Sequence, residues 1–133
     1  MMSQIKELVD EILQLSHSLR FVGVIDTMEN TLYSKHVEGK SSLISEDEEE
    51  KFAFDLKNIK QIESSYNPKL GKVTFTHVVR ENVQQLIFQV DVVLFCVTCE
   101  PEVEHNTIVE ISKLITDTIQ HKNIERLQIS SMV

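Results

Sequence analysis

Glycine and proline are scarce in this chain of 133 residues, with three and two copies respectively. So little linker-forming material argues for one folded unit over tethered modules. Basic residues are also few: 13 Lys and Arg against 21 Asp and Glu leave a formal charge of -8. Such a field repels nucleic-acid phosphates and anionic membranes unless a local basic patch overrides it. No patch is visible, because Lys57, Lys60 and Lys69 are interleaved with acids or apolar groups. Nucleic acid is therefore not expected as a partner. Long hydrophobic runs are missing too. Leu86 to Val97 is broken by Gln89 and Asp91 and falls short of the ~20 apolar residues of a membrane span, so no membrane insertion is expected. The first ten residues carry acids where a secretory leader needs basic residues. A cytoplasmic location with free thiols is the expectation.

Reactive constellations are equally sparse. Gly39-Lys40-Ser41-Ser42 lacks the spacing of a phosphate-binding loop, and neither a nucleophile elbow nor a dinucleotide fingerprint is present. Cys96-Val97-Thr98-Cys99 is a C-x-x-C, but it falls in a predicted strand, where its two side chains point to opposite faces. A redox thiol is usually activated at a helix N-terminus, and a zinc site needs a second ligand pair; buried structural cysteines are the simpler reading. Asp26 and Asp91 are lone carboxylates at strand ends, suited to turns. His77 reads as a packed or interfacial side chain. Glu100, Glu102, Glu104 and His105 read as a solvated helix start and not as cation ligands. No catalytic, cofactor-binding or metal residue is assigned, and no cofactor is expected.

What is present is a well-punctuated order of elements. Hydrophobic residues make up 41% and charged residues 26%, ordinary values for a globular chain, and this length buries roughly two-thirds of the unfolded surface. Ser3 is placed to cap a helix to about Ser18, with Ile5, Leu8, Val9, Ile12, Leu15 and Leu19 as its stripe. Arg20 to Thr27 is a continuous apolar strand, Met28 to Thr31 a hairpin with Asn30 as its left-handed residue, and Leu32 to Val37 a polar edge strand. Ser45-Glu46-Asp47-Glu48 is a capping box. The helix it opens carries Phe52, Leu56 and Ile59 inward to about Ser65, and Asn67-Pro68 and Gly71 end it. Lys72 to Arg80 alternates as a strand, Glu81-Asn82 turns, Val83 to Val90 follows, and Val92 to Cys99 is apolar on both faces and therefore central. A last helix starts at Asn106 or Thr107 and buries Ile108, Ile111, Leu114, Ile115 and Ile119. Residues 1–122 form one domain and 123–133 a tail without a decisive pattern.

The run Phe21-Val22-Gly23-Val24-Ile25-Asp26, followed by Leu32-Tyr33-Ser34, and the run Val92 to Glu100 leading into a helix resemble the roadblock and longin group of profilin-like domains. The likeness covers about Ser3 to Gln120. The chain is more closely similar to a family of small archaeal proteins that share this strand and the capped middle helix. Asn30 replaces the glycine usual at the hairpin turn of such domains. The resemblance implies an α+β fold of order α-β-β-α-β-β-β-α. Its five-stranded antiparallel sheet carries the first and last helices on one face and the middle helix on the other. It also implies homodimers joined through the third strand and the middle helix, and docking of a small GTPase or a scaffold protein.

The expected function is a non-enzymatic interaction module. Its candidate dimer edge is the alternating third strand, with Val73, Phe75, His77 and Val79 on one side, since an unprotected apolar edge invites pairing. The alternative is a small-molecule sensor of PAS or GAF kind holding a ligand between sheet and helix.

Overall fold

The computed structural model describes residues 2–27 and 31–122. The elements are α1 (Met2–Leu13), β1 (Leu19–Asp26), β2 (Thr31–His36), α2 (Glu46–Ser64), α3 (Asn67–Leu70), β3 (Thr76–Val79), β4 (Gln84–Val90), β5 (Val93–Cys99) and α4 (His105–His121). The strands form one antiparallel sheet in the order β2-β1-β5-β4-β3. The most apolar strand, β5, is central, and the two short strands are the edges.

Strand periodicity divides the core into two. One layer joins Val22, Val24, Leu86, Phe88, Phe95 and Val97 to the stripes of α1 and α4. The other joins Ile25, Ile87, Leu94 and Cys96 to Ala53 and Leu56 of α2. A strand covered on both sides cannot alternate apolar with polar, which is why β1 and β5 read as continuous runs. Phe95 is fully buried between β5 and the α1–α4 layer; truncating such a ring to alanine costs about 3–5 kcal/mol. Lys122 Nζ reaches Glu11 at 2.8 Å, tying the end of α4 to α1.

The Ser45 capping box is formed: its Oγ accepts from the Glu48 amide at 3.2 Å, and the Glu48 carboxylate accepts from the Ser45 amide at 3.0 Å. Those bonds hold the Glu48 carboxyl below its usual range. Asp91 takes a left-handed φ of 54° in the tight connection between β4 and β5, a conformation aspartate tolerates.

Several boundaries differ from the sequence reading. Helix α1 already includes Met2 and stops at Leu13, so Ser3 is not its cap. The Ser16 hydroxyl accepts from the Ser18 amide at 3.1 Å and closes a turn in place of further helix. Leu19, read as helical, begins β1 and is buried there. Asn67-Pro68 does not simply end α2 but opens the short α3, with proline in the first turn where its missing N–H costs nothing. The third strand is Thr76–Val79 only, and Lys72 to Phe75 lies outside it. Helix α4 starts at His105, one residue earlier than expected. Ile59 and Leu114, expected inside, are 52% and 46% exposed, while Ala53 and Ser112 take the buried positions. The hairpin residues Met28 to Asn30 and the tail 123–133 lie outside the described residues.

Candidate interaction surface and cavity

Helix α2 is apolar on two sides. Ala53, Leu56 and Lys60 face the sheet. Lys60 is only 4% exposed, and its ammonium group donates to Thr76 Oγ1 at 2.7 Å and Glu63 Oε1 at 3.0 Å, which seats the C-terminal half of α2 against β3. On the flank away from the sheet, Ile59, Ile62, Tyr66 and Leu70 follow one another at helical spacing through α2 and α3. Their exposures of 52, 67, 61 and 80% show that nothing among the described residues covers them. A contiguous apolar stripe of this kind marks a contact surface more often than an ordinary solvated face. The inner face of the same helix is bonded to the edge strand β3 through Lys60 and Thr76.

The four residues named as a dimer edge do not share one environment. Val73 precedes the strand and is exposed. Phe75 turns into the α1–α4 layer and stacks on Phe88, with ring centroids 5.9 Å apart. His77 is half-buried: its Nε2 lies 2.7 Å from Gln84 Oε1, and its ring stacks on His105 at 5.9 Å. Gln84 is buried, and its amide nitrogen donates to the carbonyls of Glu100, Pro101 and Val103. Its oxygen must then accept, so His77 Nε2 carries the proton. Nothing in the local pattern marked Gln84, which is one of three glutamines in β4 with Gln85 and Gln89.

Cys96 packs in the α2 layer and Cys99 in the α1–α4 layer, so the C-x-x-C is split across the sheet. Burial pushes each thiol up to about 12, with the Cys99 charge adding at Cys96 and that of Glu100 at Cys99. Glu100 accepts two bonds from Arg20 Nη1 (3.2 and 3.1 Å) and one from Lys40. The Lys40 bond holds its carboxyl below the usual range; burial opposes this and Arg20 reinforces it. Glu100 is thus a structural anion that ties the start of β1 to the end of β5. No group of three or more His, Cys, Asp or Glu among the described residues is arranged to hold a metal ion.

A cavity of about 380 Å³ opens under the N-terminal half of α2. Its floor is β1 and β5, its sides are β2 and the loop at residues 41–44, and its roof is the first turns of α2. No sequence signal indicated it, because it depends on which residues of three strands fall in register.

One five-stranded antiparallel sheet with two helices on one face and a longer helix on the other is the fold of the roadblock/LC7 and profilin-like domains. The gliding protein MglB from Thermus thermophilus matches with a TM-score of 0.72 at 11% identity, over 92% of this chain and 90% of that one. An MglB structure with a tetrameric arrangement matches at 0.71 and 12% identity, over 92% and 90%. The roadblock/LC7 domain from Streptomyces avermitilis matches at 0.62 and 8% identity, over 86% and 92%. No family model matches the chain, and no curated protein matches it in sequence. Among the described residues no helix is long and apolar enough to cross a membrane.

Proposed function

We propose that this chain is a non-enzymatic protein-interaction module of roadblock type: a cytoplasmic homodimer that regulates or scaffolds another protein, with a small GTPase as the foremost partner. The observation that carries this reading is the uncovered stripe Ile59–Ile62–Tyr66–Leu70 on the helix whose inner face is bonded, through Lys60, to Thr76 of the edge strand β3. Two copies related by a two-fold axis would pack stripe on stripe, and β3 could pair with its counterpart to continue the sheet. The roadblock resemblance implies the same two elements, and the tetrameric arrangement of one MglB neighbour is in keeping with self-association. The dimer contact is then drawn through the α2 stripe and the backbone edge of β3; Phe75 and His77 are half-buried, and Val79, though exposed, lies with them on the face of β3 opposite α2.

Light scattering over a concentration series tests the assembly. A particle of twice the chain mass at micromolar concentration is expected, and a strict monomer at high micromolar concentration overturns the dimer. Ile62→Glu is the informative variant, because Ile62 is exposed and its loss leaves the core intact. It should weaken the dimer on the order of 100-fold, as removal of a central interface residue does, without lowering the monomer's melting temperature. Capture of binding proteins from native lysate by wild type and by Ile62→Glu, read by mass spectrometry, then tests for a small GTPase or scaffold partner.

A further inference from the structure

The cavity under α2 exists because three strands place small residues side by side. Gly23 of β1 pairs with Ser34 of β2 and with Cys96 of β5. This row is flanked by a bulkier one in which Phe21 pairs with His36 and Thr98. Glycine inside a strand weakens it, and often marks a place where a ligand or another backbone comes close. Here a Cβ on Gly23 would meet the Phe21 ring at 3.0 Å. Glycine therefore lets that ring lie over the strand, where it sits 4.5 Å from the His36 ring. The result is a floor and wall of Gly23, Phe21, His36 and Cys96, faced from α2 by Phe52 and Ala53. At about 380 Å³ the space suits a compact ligand of ten or so heavy atoms.

The charges around this apolar chamber are not balanced. Arg20 reaches the lining, but its guanidinium donates to the Glu100 carboxylate and to the Ser41 carbonyl, so it is already engaged. Glu49 accepts from Ser42 Oγ at 2.6 Å and lies 3.4 Å from His36 Nε2. Glu46 and Glu50 also line the cavity and form no ion pair among the described residues. An aromatic wall next to uncompensated carboxylates is complementary to a cation that carries apolar surface.

We propose that this cavity binds a small organic cation, a protonated primary amine on a flat apolar body. The ring packs against Phe21, which covers Gly23, and against Phe52, and the ammonium group meets Glu46 and Glu50. The site is separate from self-association, since none of Ile59, Ile62, Tyr66 or Leu70 lines the cavity.

Tryptamine is the probe. The protein has no tryptophan, so the anisotropy of the indole fluorescence reports binding without competing indole signal. A Kd on the order of 100 µM is expected for a ligand of this size. The neutral isostere tryptophol should bind roughly tenfold more weakly, and the anionic indole-3-acetate not measurably. Ser34→Phe, at an exposed position that lines the cavity, should abolish tryptamine binding by filling the space. The pair Glu46→Gln and Glu50→Gln, both at exposed sites, should weaken it roughly tenfold without touching the core. No tryptamine binding at millimolar concentration, equal binding of tryptophol, or binding unaltered by Ser34→Phe and by the glutamine pair each overturns the proposal. Should Ser34→Phe misfold, the glutamine pair and the tryptophol comparison still decide it.

Discussion

Gln84 is a polar side chain at 3% exposure with both ends of its amide engaged, toward His77 on β3 and toward three carbonyls of the β5–α4 connection. Replacing it by leucine keeps most of the volume but removes the donor to the Pro101 and Val103 carbonyls, while that of Glu100 still accepts from the Val103 amide. With a desolvation penalty of about 1–3 kcal/mol for an unsatisfied buried group, Gln84→Leu should cost roughly 2–3 kcal/mol in urea denaturation. An unchanged midpoint would mean that water satisfies the carbonyls equally well. The two cysteines give a second prediction at this scale. Both are neutral in the folded protein because burial raises them to about 12, whereas in the unfolded chain they titrate near 8.5. Between those values the unfolded state loses protons that the folded state keeps, so stability is full below about pH 8.5 and falls as pH rises toward 12. Native-state reaction with a disulfide reagent at pH 8 should be slow and limited by unfolding; rapid labelling of either thiol would contradict the burial.

Helix α2 is the element on which the sequence was least decisive. Phe52, Phe54, Leu56, Ile59 and Ile62 spread apolar residues around much of its circumference, so periodicity alone assigned Ile59 to the core. The structure gives that place to Ala53 and Lys60. A lysine on the inner face is invisible to a hydrophobic pattern, yet its bonds to Thr76 and Glu63 orient the helix. What leaves the stripe uncovered is therefore the angle at which α2 sits, and only tertiary packing sets it. The capping box, by contrast, was legible because it is local: four consecutive residues contain both partners of both bonds. Ser45→Ala should lower stability by about 1 kcal/mol in urea denaturation. Ser45 is exposed and remote from the Ile59–Leu70 stripe, so the dimer constant should not move once the folded fraction is corrected for. A loss of association in Ser45→Ala would place the contact at the N-terminal end of α2.

At the scale of the whole molecule, the two-faced sheet was readable from β1 and β5. Apolar residues on both sides of a strand require cover on both sides, and the element order supplies the helices that cover it. The register between strands was not readable. It decides that Gly23, Ser34 and Cys96 meet in one row and open a cavity. The turning of Phe75 and His77 into the molecule was hidden for a related reason. Their alternation with Thr74, Thr76 and Val78 fixed two faces but not which face an edge strand would present to solvent.

Self-association through α2 and β3 is the central claim, and amide hydrogen exchange measured as a function of protein concentration tests it most directly. Dimerisation should increase protection with concentration over residues 59–70 and 76–79 and leave the amides of β1 and β5 unchanged. Exchange that is independent of concentration in those two segments, or protection that grows on α1 and α4 instead, would contradict it.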